Sequence, residues 1–147
     1  MDSIRIRETP LEITLAMRQE VMYPGETIDF VKLEDDKSGK HWGLYVEDQI
    51  VSVISVFERN RVIQFRKFAT MAGMQRQGYG TTLLRHVIQW AQTNGMKLIW
   101  CNARSSAARF YERFGMKQNG PGLGKKWDRI YKNGKEFGTQ DGDYSGN

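Results

Sequence analysis

The chain has 147 residues, 39% of them hydrophobic and 27% charged, with 22 Lys and Arg against 17 Asp and Glu for a net charge of +5. That length suits one domain with a real core, no apolar run approaches the ~20 residues of a membrane span, and Met1-Asp2-Ser3-Ile4-Arg5 lacks the apolar core of a signal peptide. The single Cys101 excludes an internal disulfide and fits a small buried hydrophobe in a reducing cytoplasm, and His41 and His86 are too isolated to form a metal cluster with it. The basic residues are spread out, with Lys125-Lys126 the longest simple cluster. That distribution suits small anionic ligands or a solvated surface better than nucleic acid, which calls for a dense basic run interleaved with aromatics.

In chain order, Ile4 to Arg7 alternates as a first strand. Thr9 then reads as a helix cap with Pro10 in the first turn, and Leu11, Leu15, Val21 and Met22 make a helical stripe that Tyr23-Pro24-Gly25 stops. Residues 26–40 are polar, with Ile28, Phe30 and Leu33 as anchors for a short helix or ordered loop. Trp42–Val46 and Ile50–Val56 around Glu47-Asp48 predict a hairpin, and Val62–Thr70 the next strand. After the loop Met71–Gln77 comes a helix from Tyr79 to Asn94 that buries Leu83, Leu84, Val87, Ile88 and Ala91 and stops at Gly95. A strand over Lys97–Asn102 and a short helix over Ser106–Phe114 follow. Met116–Asn119 and Trp127–Lys132 are expected to pair as closing strands around the glycine-rich 120–124. Residues 1–133 read as a single domain and 134–147 as a loose polar tail. Several strands, then strand-helix-strand-helix, predict a mixed α/β sheet.

The segment Gln75-Arg76-Gln77-Gly78-Tyr79-Gly80-Thr81 lies between an apolar strand and an apolar helix. Glycine-spaced backbone at a helix start can cradle phosphate, because first-turn N–H groups and the positive helix end face one point. A P-loop needs four residues between its glycines and then Lys, whereas Gly78 and Gly80 are separated by Tyr79 alone. A dinucleotide fingerprint needs a third glycine where Leu83 stands. By itself the pair is also an ordinary helix entry.

Gln75, Gly78 and Gly80 do fill another pattern: Gln or Arg, two residues, Gly, one residue, Gly or Ala. It resembles the acetyl-CoA pyrophosphate loop of the GCN5-related N-acetyltransferases. The resemblance continues through Lys97–Asn102 and Ala107-Ala108-Arg109-Phe110-Tyr111-Glu112-Arg113-Phe114-Gly115-Met116, covering about Val62 to Met116. Within the superfamily, Phe65–Thr70 and Trp100–Ala107 look more like the glyphosate N-acetyltransferase type. The first 60 residues match only loosely.

The resemblance implies a sheet antiparallel at first, with parallel strands where CoA enters, and acetyl-CoA as the cosubstrate. It implies that Gln75, Arg76, Gln77, Gly78, Tyr79, Gly80 and Thr81 hold the pyrophosphate. It further implies that Phe68, Ala69 and Thr70 pair with pantetheine and polarise the thioester, and that Asn102 and Ala107 line the cofactor. Tyr111 is the implied general acid, since a phenol of pKa ~10 stays protonated at neutral pH and can serve a departing thiolate; by helix spacing alone it would be an ordinary core aromatic. Asn102 could equally cap the next helix, and Arg76 could be a solvated loop charge.

The amine side is less determined. Between Arg59 and Met74 there is no Asp or Glu, where many family members keep a carboxylate. Arg66 shares a strand face with Gln64, Phe68 and Thr70, and a guanidinium there suits a carboxylate or phosphonate. In glyphosate-type enzymes arginines at the equivalents of Arg66 and Arg104 hold the acceptor's acidic groups; in this chain both could instead serve ion pairs. That branch also uses a C-terminal histidine as base, where this chain has Trp127, and an arginine where it has Tyr23. Asp128, Glu26, water, or no base at all remain open. His41 and His86 read as surface residues. The resulting expectation is a cytoplasmic N-acetyltransferase acting by direct attack of a small, acidic amine, without metal, nucleic acid or membrane partner and with a homodimer left open. A protein or peptide N-acetyltransferase and a non-catalytic acyl-CoA-binding regulatory module are the alternatives.

Overall fold

Val- and Ile-rich runs make the central strands, and tight turns at Glu47-Asp48 and Asn60-Arg61 join them. In the computed structural model, which describes residues 3–124 and 129–138, the elements in order are β1 Ile4–Glu8, α1 Leu11–Met22, α2 Ile28–Val31, β2 Lys40–Val46, β3 Gln49–Arg59, β4 Val62–Thr70, α3 Tyr79–Thr93, β5 Leu98–Arg104, α4 Ala108–Glu112, β6 Lys117–Leu123 and β7 Ile130–Glu136. The strands form one mixed, mostly antiparallel sheet of seven in the order β1-β2-β3-β4-β5-β7-β6, with β4 and β5 parallel. The chain divides into two compact units, Met1–Phe57 with Phe65–Val87 and Glu58–Gln64 with Ile88–Asn147.

In the first unit, Glu47 and Asp48 take φ of 50° and 67° at the β2–β3 turn. Left-handed values at both central residues match the right-handed strand twist. Met17, Val53 and Ala69 form a buried cluster with Val21, Ile50 and Met71 against it. Leu83, Leu84 and Val87 of α3 are wholly buried, as their spacing predicts.

The start of the chain departs from expectation. The cap position of α1 is Pro10, and Thr9 makes no side-chain cap. Its buried hydroxyl instead bonds the Tyr45 hydroxyl at 2.9 Å and the Arg7 carbonyl at 3.2 Å. The inward face of α1 carries Thr14, Leu15, Met17 and a fully buried Arg18, while Met22 is exposed. Ile28 and Phe30, expected as anchors, are exposed; Val31 is the buried residue of α2.

In the second unit, β4 pairs with β5 over Val62↔Leu98, Ile63↔Ile99 and Gln64↔Trp100. Ile63, Ala91, Ile99, Met116 and Phe114 are buried. Strand β5 continues past Asn102 to Arg104, and the expected helix over 106–114 is a 3₁₀ turn, Ser105–Ala107, followed by α4. Of the expected closing strands, Trp127 and Asp128 lie outside the described residues, and β7 begins at Ile130. Gly134, expected as the first tail residue, pairs with Trp100 and Lys117, and the Phe137 amide donates to Lys97 O at 2.9 Å. The remainder of that expected tail, 139–147, is outside the described residues.

Candidate active site

The loop between β4 and α3 has the conformation its glycines suggest. A 3₁₀ turn, Ala72–Met74, leads into Gln75, and Arg76 and Gly78 then take φ of 64° and 84°. Residues 75–78 are exposed, and Tyr79, Gly80 and Thr81 half-buried. The first helical bond runs from the Thr82 amide to Gly78 O at 2.9 Å. The amides of Tyr79, Gly80 and Thr81 therefore precede the helical ladder and are available as donors. The two glycines serve different needs. Nothing lies within 4 Å of a Cβ built on Gly78, so its conformation is the constraint; one on Gly80 would stand 3.4 Å from Phe68 Cζ and Thr70 Oγ1.

Gln75 is turned to its own strand. Its Nε2 donates to Thr70 O at 3.0 Å, clasping the loop to the end of β4. There Ser52 Oγ donates to Ala69 O at 3.0 Å and bonds Thr70 Oγ1 at 2.9 Å. Ala69 is buried, and Phe68 is half-buried, edge-on to Phe65 at 6.1 Å.

Arg66 of β4 has 38% of its side chain exposed and meets the Asp35 carboxylate at 3.7 Å, with its guanidinium 5.8 Å from the centre of the Phe57 ring. Lys67 interrupts the strand with φ of 54°. It donates from Nζ to the Tyr23 hydroxyl at 2.5 Å and lies 4.8 Å from that ring's centre. The sequence pattern did not anticipate this pair, since a period-two reading has no signal for one left-handed residue inside a strand.

In the second unit, Tyr111 on α4 is half-buried and hydrogen-bonded to the thiol of Cys101 on β5. Burial first, and then the Cys101 charge and hydrogen bond, raise the phenol pKa well above its ordinary range. Burial likewise pushes the Cys101 thiol up to about 12, against a lowering by the Tyr111 bond. Cys101 is 2% exposed, so it is the small buried hydrophobe expected. Asn102 is exposed within β5, opposite Lys132. It caps nothing: α4 is preceded by Ala107, half-buried at φ −96°, without a side-chain cap. Arg104 is exposed at the end of β5, opposite Ile130.

Neither histidine is the exposed surface residue expected. His41 is 7% exposed, and its ring nitrogens bond Ser55 Oγ at 2.7 Å and Asp36 O at 2.9 Å. His86 is half-buried, edge-on to Trp42 at 4.8 Å, and burial lowers its pKa. Among the described residues no three His, Cys, Asp or Glu side chains gather as a metal site, and no helix is long and apolar enough to cross a membrane.

The family model described as Acetyltransferase (GNAT) family matches residues 7–116. The uncharacterized N-acetyltransferase YitI of Bacillus subtilis (strain 168) is 24% identical over 135 residues, spanning 82% of this chain and 91% of its own. Among solved structures, the IAA acetyltransferase of Bacillus cereus ATCC 14579 is similar with a TM-score of 0.71 at 16% identity, over 92% of this chain and all of its own. The ribosomal-protein-S18-alanine N-acetyltransferase of Escherichia coli is similar with the same TM-score of 0.71 and the same 16% identity, over 90% of this chain and 91% of its own.

Proposed function

The chain belongs to the acetyltransferase (GNAT) family, and we propose that, as an N-acetyltransferase, it acetylates the amine of a small acidic molecule directly from acetyl-CoA, the donor general to that family. The observation that carries the donor side is the loop before α3. Left-handed backbone at Arg76 and Gly78, exposed residues 75–78 and the first-turn amides of Tyr79, Gly80 and Thr81 fit a doubly charged pyrophosphate. Arg76 and Gln77 add side-chain donors, while the Gln75 amide nitrogen shapes the loop by bonding Thr70 O. The backbone of Phe68, Ala69 and Thr70 is the candidate for the pantetheine arm, with Asn102 and Ala107 as further contacts.

Bound acetyl-CoA supplies the thioester. A neutral acceptor amine forms the new C–N bond at its carbonyl carbon as the C–S bond breaks. Tyr111 gives its phenolic proton to the departing sulfur, the amine's excess proton leaves to water, and water returns a proton to Tyr111. The raised pKa of Tyr111 keeps that proton in place across the working pH range.

The acidity of the acceptor is supported by Arg66 and Arg104, by the absence of carboxylates from Arg59 to Met74, and by the likeness to the glyphosate type. Tyr23 and the lack of a histidine after His86 depart from that type, so glyphosate itself is not proposed. Overall likeness does not choose the acceptor, since an IAA acetyltransferase and a ribosomal-protein acetyltransferase resemble the chain equally. Arg66→Ala tests the acidic acceptor. The variant should lose at least ~10-fold in kcat/KM on acidic amines and little on neutral ones, as loss of a charge-assisted bond implies. Intact activity on acidic amines, with basic amines the better acceptors, would defeat it.

A further inference from the structure

Rigid pairing in β4 would put Lys67 on the side of Ile63, Phe65 and Ala69, all of them buried. Its left-handed φ of 54° breaks that run. The side chain goes instead to Tyr23, just after α1, where Nζ donates to the phenol oxygen at 2.5 Å. Among the described residues this half-buried ammonium has no carboxylate partner. Its neighbour Arg66 meets the Asp35 carboxylate at a long 3.7 Å. A phenol oxygen is a neutral acceptor, so the ammonium still favours an incoming anion.

Apolar surface stands beside this cation. Phe30 on α2 is 56% exposed and meets the Tyr23 ring edge-on at 5.4 Å. Val31 anchors α2, so the Phe30 ring is not needed to hold that helix down. Lys67 also immediately precedes Phe68–Thr70, the backbone assigned above to the acyl donor.

We propose that Lys67, Tyr23 and Phe30 form the subsite that selects the acceptor, and that the acceptor is an amino acid with a free carboxylate and an apolar, preferably aromatic, side chain. Lys67 takes the carboxylate, and the Tyr23 and Phe30 rings take the side chain. The Tyr23 hydroxyl is a positioning group that aims the ammonium. This rests on the acetyl-transfer reading and narrows its substrate class.

The test is thiol release from acetyl-CoA with phenylalanine, phenylalaninamide and aspartate as acceptors. The wild type should use phenylalanine at least ~10-fold better in kcat/KM than the amide, the scale of one charge-assisted hydrogen bond, and better than aspartate, which keeps the α-carboxylate but lacks the ring. Lys67→Gln should bring phenylalanine down to the level of the amide and change the amide less than ~3-fold. Tyr23→Phe, which keeps the ring, should raise KM for phenylalanine with kcat and melting temperature unchanged. Equal losses on acid and amide in Lys67→Gln would make the pair structural and overturn the proposal, as would a wild-type preference for aspartate or for the amide. Turnover of other amines with phenylalanine inert would overturn this proposal alone. No thiol release with any amine would remove the transfer reading with it.

Discussion

Tyr111 and Cys101 share one hydrogen bond, and burial keeps both protonated. The shift keeps the proton on Tyr111 and makes the phenol a weaker acid toward the departing sulfur. Tyr111→Phe should bind acetyl-CoA as the wild type does, by calorimetry, and lose about 10²–10⁴-fold in kcat. Unchanged turnover would remove Tyr111 from the mechanism. Because its folded pKa is raised, kcat should show no alkaline decline assignable to this phenol up to about pH 10, the ordinary tyrosine value. The same shifts act on stability. Above the ordinary thiol value of 9.0 the unfolded chain releases the Cys101 proton while the folded one holds it to about 12. Stability from this group is therefore complete below pH 9 and declines as pH rises toward 12, by up to about 1.4 kcal/mol per unit. Denaturant unfolding of the wild type and Cys101→Val across that range measures it; the variant should lack the cysteine share.

At the scale of elements, the loop and α3 were legible because their determinants are local. Spacing of Gly78 and Gly80, an apolar stripe and Gly95 suffice to write them down, and α3 ends at Thr93, one residue short of expectation. The two glycines should separate experimentally. Gly78→Ala puts a Cβ on backbone at φ 84° and should cost about 1–2 kcal/mol in denaturant unfolding while weakening acetyl-CoA binding. Gly80→Ala gains about 0.5–1 kcal/mol of helix propensity against contacts at 3.4 Å, so stability should hold while the Kd for acetyl-CoA rises. The helices α1 and α2 lie where the sequence puts them, but their buried faces differ from expectation for the opposite reason. Their inward faces answer to Arg18 and Asp36, and a buried charge pair leaves no mark on an apolar pattern. Likewise β5 outran its expected end at Asn102 because its partner is β7, far along the chain, with Arg104 opposite Ile130.

At the scale of the molecule, the first unit is organised around a buried polar network. Arg18 donates to both Asp36 carboxylate oxygens at 2.8 Å, to Val31 O at 3.0 Å and to Ser55 Oγ at 2.9 Å. His41 closes it onto Ser55 and Asp36, joining α1, α2, β2 and β3. Burial alone would raise the Asp36 pKa, but the Arg18 bonds, the Leu33 amide and the charges of Arg18 and His41 hold it below its ordinary value. The stability it contributes is thus present above about pH 4 and lost as pH falls through the lowered value. Asp36→Ala, which strands the Arg18 charge, should cost about 3–5 kcal/mol. The fold class was legible from the order of strands and helices, and the glycine loop before α3 from its spacing. The proposed acceptor subsite was not, because Lys67 is 44 residues from Tyr23 and meets it from a left-handed strand position. The most direct test of the whole account is thiol release from acetyl-CoA by the wild-type chain against acidic, neutral and basic amines. Turnover with amines that carry a free carboxylate as the best acceptors, lowered about 10²–10⁴-fold in Tyr111→Phe, is the predicted result. Tight acetyl-CoA binding without turnover on any amine would contradict it and leave a binding module in place of an enzyme.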